Sequence, residues 1–269
     1  MSDEIDNQFI GDPGQLRAYE DFCRAQRERP EEGFALGEPA LICRWRMVGA
    51  SVPALARHLR ALRARRVNGR ALPAALIAWV GQHIELSLDR GTENALDGVV
   101  MLVVDVDGSA AMSTGPYAPL ADESASALRA RAMCAASEAN ASGVAPEVLC
   151  LSRGEVLQVC TKPAGDQSDN GASTPLASCG CLTLVEQLAA MRGHRIERIA
   201  LADADDVDRS GANGEAASVF LVSDEHGIVA ASDAVPDTPA QRRDAAFISF
   251  LQECYSKLLR AASGARGRG

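Results

Sequence analysis

The chain has 269 residues, 47% of them hydrophobic, and a formal charge of −9. That is enough to bury a sizeable core in one or two domains, and too acidic to hold nucleic acid or an anionic membrane by bulk electrostatics. Its uncharged apolar runs, such as Val99 to Val104, are far shorter than the roughly 20 residues of a membrane span. The opening Met1-Ser2-Asp3-Glu4 lacks the basic and apolar regions of a signal peptide, so a cytoplasmic location is the expectation.

In chain order, an extended run from Leu41 to Val48 predicts a first strand. Apolar residues at helical spacing then predict two helices, over Ala54 to Arg66 (Leu55, Leu59, Leu62) and Leu72 to Leu86 (Leu76, Ile77, Val80, Ile84), with Pro73 in the first turn of the second. Val99 to Asp105 and Ser109 to Ser113 flank Asp107-Gly108 as a hairpin, and Thr114 to Pro119 punctuates the chain as a crossover. Beyond it come a helix over Ser124 to Ala141 and a hairpin pairing Glu147 to Leu151 with Glu155 to Thr161. Asp166 to Ser173 reads as a mobile loop. A helix over Thr183 to Met191 ends at Gly193, and a strand follows over Arg195 to Leu201. Val219 to Val222 and Ile228 to Ala231 form a third hairpin before a last helix carrying Phe247, Phe250, Leu251, Cys254 and Leu258. The mixed order predicts an α+β or α/β fold. Its divisions are an N-terminal extension over 1–32, a small lobe over 33–118 and a larger lobe over 119–269.

Few side chains stand out for chemistry. The eight cysteines lack paired spacing, which suits reduced core thiols. The C-x-C of Cys179 and Cys181 has no second ligand pair, and His194 is the histidine near it in sequence, so no metal is expected. The acidic run Asp203, Asp205, Asp206 and Asp208 reads as a solvated turn, and Asp105 and Asp107 as turn residues. The arginines from Arg57 through Arg60, Arg63, Arg65 and Arg66 to Arg70 read as the wet face of an amphipathic helix rather than a nucleic-acid surface. No serine sits in a G-x-S-x-G context, which leaves no hydrolase case. Lys162 and Lys257 are the only lysines, so any lysine chemistry has to use one of them.

The order of segments resembles the class IV pyridoxal-phosphate aminotransferases, the group that includes D-amino-acid and branched-chain aminotransferases and aminodeoxychorismate lyase. Gly33-Phe34-Ala35-Leu36-Gly37-Glu38 is similar to the family's G-F-x-x-G-D, and the segment from Leu55 to Leu62, with His58, to its E-H-L-x-R-L helix. Ala136-Ser137-Glu138-Ala139, Glu147 to Leu151, Cys181-Leu182-Thr183 and Val219 to Val222 fall where the family shows A-K-x-E-A, E-A-L-L-L, G-I-T and V-F-L-T. The stretch between Pro119 and Ala136 is shorter than the family's, where an additional strand usually lies. The resemblance implies a two-lobed fold-type IV architecture and a homodimer, or pairing with another protein chain.

It also implies where a cofactor pocket would be. The family's Schiff-base lysine falls at Ser137, and a hydroxyl cannot form an imine. The carboxylate that pairs with the pyridine nitrogen and keeps it protonated falls at Gln158, a neutral amide. Of the phosphate ligands, Thr183 remains. The arginine position reads as Ala61, with Arg60 one residue away, and the threonine pair reads as Asp224 and Glu225, whose charges would repel a phosphate. The implied function is therefore a class IV-like protein without the Schiff-base lysine, non-catalytic, acting as a binding, regulatory or partner subunit with no cofactor. The alternative is a divergent pyridoxal-phosphate aminotransferase or lyase, with Lys162 as a replacement amine.

Overall fold

The structure is a computed structural model and describes residues 37–49, 51–90, 97–162, 177–204 and 217–264. The expected N-terminal extension, the loop at Asp166 to Ser173 and Asp205, Asp206 and Asp208 lie outside the described residues. Helices and strands are mixed, in two main sheets with separate cores.

The first sheet has the order β1–β4–β5, all antiparallel: β1 (Pro39–Val48), β4 (Asp97–Asp105) and β5 (Ala110–Pro116). Alternation along β1 sends Leu41, Cys43, Trp45 and Met47 into the core and leaves Ile42 and Arg44 on the other face. The β4–β5 turn is organised by the Asp105 carboxylate. It accepts the amides of Asp107 at 3.0 Å, Ser109 at 2.8 Å and Gly37 at 3.1 Å. Helices α1 (Leu55–Ala64) and α2 (Ala74–Arg90) supply Leu62, Leu76, Ile77, Val80 and Ile84 to the same core.

The helix expected over Ala54 to Arg66 stops at Ala64. A short hairpin follows, β2 (Arg66–Val67) and β3 (Arg70–Ala71), turning at Asn68 (φ 51°) and Gly69 (φ 73°). Asn-Gly is the pair that takes two positive φ angles most readily, so the turn chemistry overrides the helical spacing. The β5 strand runs on to Pro116, into the segment expected as a crossover.

The second sheet has the order β10–β9–β6–β7–β8, from β6 (Glu147–Arg153), β7 (Val156–Lys162), β8 (Arg195–Ala200), β9 (Ser218–Ser223) and β10 (Gly227–Ala230). Among the described strands, β7 and β8 are the pair that runs parallel, and α4 (Gly180–Met191) lies between them in sequence, as a parallel connection requires. β6 is covered on both sides, which is why it reads as a continuous apolar run. Val148 and Cys150 face α4 and α5 (Pro239–Gly264), with Leu182, Val185, Phe247 and Leu251. Leu149 and Leu151 face α3 (Ala125–Ser142), with Leu128 and Ala132. Ser124 caps α3 through the Ala127 amide, and Gly143 closes it at φ 83°.

Gly227 combines φ 73° with a close approach, since a Cβ there would fall 2.2 Å from the Tyr255 ring. Gly227→Ala is expected to destabilise the protein by more than the roughly 1 kcal/mol of an ordinary glycine replacement, read as a lower urea midpoint. An unchanged midpoint would mean that the Tyr255 ring moves aside freely.

Candidate functional site

Buried polar side chains converge at the start of α4. Its N-cap residue, Cys179, makes no side-chain capping bond, so the first amides of the helix need an acceptor from elsewhere. Asp224, just past the end of β9, supplies it. Gly180 N–H donates to Asp224 Oδ2 at 3.3 Å and Cys181 N–H donates to Oδ1 at 2.8 Å. The backbone holds this carboxylate in place, because the Arg46 amide on β1 donates to the Asp224 carbonyl at 3.1 Å. A helix N-terminus favours negative charge through its free amides and its dipole, and here the anion belongs to the chain itself.

α1 closes the other side. His58 Nδ1 stands 3.4 Å from Asp224 Oδ1, while Nε2 donates to the Pro53 carbonyl at 3.1 Å. The ring is stacked on Trp45, with centroids 5.8 Å apart. Gly180 makes this approach possible, since a Cβ there would meet His58 Nδ1 at 2.4 Å. Cys179, Cys181, His58 and Asp224 are all buried, Asp224 to 4% exposure. Burial alone would push the Asp224 carboxyl up, but His58, the Cys181 amide and Arg65 bring it below the usual carboxylate range. The same burial, with Asp224 nearby, drives the Cys179 and Cys181 thiols well above their usual value. The Tyr255 hydroxyl bonds the Cys181 sulfur, and burial raises that phenol too.

Of the site residues expected from sequence, the structure brings two together here. Asp224 is the cap, and Thr183 lies one turn into α4, its hydroxyl donating to the Gly180 carbonyl at 2.7 Å. The arginine near it is Arg57 rather than Arg60. Arg57 Nη1 donates to Thr183 Oγ1 at 3.1 Å and Nη2 bonds Gln187, whereas Arg60 is exposed and Ala61 is buried in the core. Helical rotation decides this, with the face carrying Arg57, His58 and Ala61 turned toward α4. The arginine-rich segment is not uniformly solvated either, because Arg65 is buried and bonds Glu138 at 3.2 Å.

The other expected positions lie apart. Glu225 turns away from its neighbour Asp224 and pairs with Arg44 at 3.6 Å. Gln158 bonds Glu197 on β8 at 3.3 Å and shares the sheet face of Leu151 and Cys160, opposite the face covered by α4. Ser137 is exposed on α3. A cavity of about 520 Å³ between β1 and α3 is lined by Arg44, Arg131, Cys134, Glu138, Glu147 and Glu225 among others, but not by Ser137. Within it Arg131 grips Glu147 through two bonds, of 2.9 and 2.6 Å. Lys257 is exposed and paired with Glu253. Lys162 ends β7.

Sequence reasoning missed His58, Gly180 and Cys181 as members of one cluster. One signal was present. The helix starts at Gly180 and not at Thr183, and a helix opening on Cys-Gly-Cys with no Ser, Thr, Asp or Asn cap has to borrow one.

No protein-family model and no curated protein matches the sequence. Solved structures with a similar chain path include a hypothetical aminotransferase from Mycobacterium tuberculosis in its PLP-bound form (12% identity, 87% of this chain and 94% of that one, TM-score 0.48). A fold IV transaminase from Curtobacterium pusillum (13%, 82% and 86%, TM-score 0.42) is also similar. So is a protein described as a 4-amino-4-deoxychorismate lyase from Legionella pneumophila (11%, 85% and 97%, TM-score 0.46). No helix among the described residues is long and apolar enough to cross a membrane.

Asp224→Asn is expected to cost about 1–3 kcal/mol, since the buried Gly180 and Cys181 amides lose their charged acceptor. The depressed carboxyl also fixes the sign of a pH effect. The unfolded state binds the proton more readily, so the contribution of Asp224 is present above the ordinary carboxylate pKa and is lost as pH falls through the lower folded value. Urea unfolding from about pH 7 to about pH 3 checks this. The variant should show a shallower acid slope than the parent, and equal slopes would remove Asp224 from the account.

Proposed function

We propose that this chain is an aminotransferase class IV-like protein that works without pyridoxal phosphate, as a binding, regulatory or partner subunit and not as a transaminase. The observation that carries the reading is the Asp224 carboxylate seated on the Gly180 and Cys181 amides. In the resembled family the corresponding G-I-T helix start helps to hold the cofactor phosphate. Here those amides are engaged by a buried acid that is closed in by His58, and a phosphate brought to the same place would meet a negative charge at short range. The residues present do not fit the group.

Other positions support the same reading. Ser137 offers no amine and is exposed, Gln158 offers no charge and is engaged with Glu197, and Lys257 stands in solvent. The cavity beside Arg131 and Glu147 is a natural place for a small ligand, with paired charges at one end and Ile42, Ala130 and Ala135 along its wall. Pairing with a second copy or with another chain, in the cytoplasm, belongs to the same proposal.

Absorbance with added pyridoxal phosphate, before and after borohydride reduction, tests it. No aldimine band and no lysine adduct are expected. An adduct on Lys162, lost in Lys162→Ala, would sink the proposal and restore a divergent enzyme. Asp224→Gly, which removes the internal anion, should gain a rise in melting temperature from inorganic phosphate that the parent lacks.

A further inference from the structure

We propose that His58, Cys181 and Asp224 form a binding site for a divalent cation of the zinc type, held between α1 and the start of α4. The His58 ring nitrogen, the Cys181 sulfur and an Asp224 oxygen all lie within 4.8 Å of one another, and the three residues are buried to 2%, 1% and 4% exposure.

The tautomer of His58 points to an ion. A carbonyl can only accept, so Nε2, bonded to Pro53 O, carries the ring proton. Nδ1 then faces an Asp224 carboxylate oxygen at 3.4 Å, and it has no hydrogen-bond partner. Two donors each about 2.0 Å from a tetrahedral ion stand about 3.3 Å apart, which matches the His58–Asp224 spacing. Closing the sulfur onto the same ion takes a shift of about an ångström at most.

The donor set and its surroundings fit the same ion. Imidazole, thiolate and carboxylate together suit zinc and its neighbours, while magnesium and calcium prefer oxygen. A carboxylate and a thiolate neutralise the two charges of the ion, so the buried assembly is close to neutral. Asp224 has enough lone pairs to keep both amide bonds while coordinating. His58 bonding Pro53 through its far nitrogen, and Tyr255 donating to the Cys181 sulfur, are the outer contacts that orient metal ligands. Cys181 coordinates as thiolate, so uptake of the ion releases its proton.

This inference stands apart from the non-catalytic reading, because cobalt–thiolate absorption and aldimine absorption are read separately. Protein stripped with EDTA is titrated with Co²⁺. A single saturating equivalent, a thiolate-to-cobalt charge-transfer band in the near ultraviolet, and displacement by Zn²⁺ are expected. Zn²⁺ should also raise the melting temperature by several degrees. Cys181→Ser should lose the band, while Cys134→Ser, which removes an exposed thiol, should keep it. If Cys181→Ser does not fold by circular dichroism, His58→Gln is measured in its place, with loss of the thermal shift expected. A folded parent with no charge-transfer band at saturating Co²⁺, a band that survives Cys181→Ser, or a thermal shift that survives His58→Gln would overturn the proposal.

Discussion

The Asp224 carboxylate at the start of α4 is the contact on which the rest of this structure depends. Four parts of the chain meet at that one side chain and its backbone: β1 through the Arg46 amide, α1 through His58, the first turn of α4, and the end of β9. A buried charge is costly unless its partners are fixed before it is desolvated. Here two amides and an imidazole are fixed by a helix start, a stacked ring and a carbonyl. The first sheet and its helices therefore dock on the second through a polar lock set within apolar packing, where Ala61 of α1 joins Cys179, Cys181 and Leu182 in one cluster.

That lock also bears on what the start of α4 can receive. A helix start that receives an external anion has to be open, with neutral or basic neighbours. This one is closed by a carboxylate, by a histidine against Gly180, and by an arginine that bonds Thr183 and Gln187 instead of facing an anion. The Gly180 and Cys181 amides are satisfied by the chain's own carboxylate.

The second polar region has a different character. Around the cavity, Arg131 and Glu147 form a partly solvated pair backed by the buried Ser223 hydroxyl, with Glu225 and Arg44 at its edge. Side chains with one face in water can exchange partners at low cost, which a buried lock cannot do. Adjacent in sequence, Asp224 and Glu225 point to opposite roles, one closing the core and the other lining a cavity.

Much of the fold was legible in the sequence, because its elements follow local rules. β6 carries the unbroken apolar run Val148 to Leu151 because both of its faces are covered, Ser124 marks the start of α3, and Asp105 organises its turn through neighbouring amides. The same rules could show that a lysine is missing at Ser137 and that acids stand at 224 and 225. They could not show which residues of α1 face α4, since that depends on the rotation of a helix set by packing. Arg60 and Arg57 therefore changed places, and Gln158 fell on the far face of the sheet. Nor could spacing reveal that His58 stands against Cys181. The sequence sets His194 near the C-x-C, but the β1–α1 unit folds back over α4 and delivers a histidine more than a hundred residues away along the chain. Local backbone preferences act within a few residues, whereas a site assembled from α1, α4 and β9 exists only once burial has chosen which faces meet.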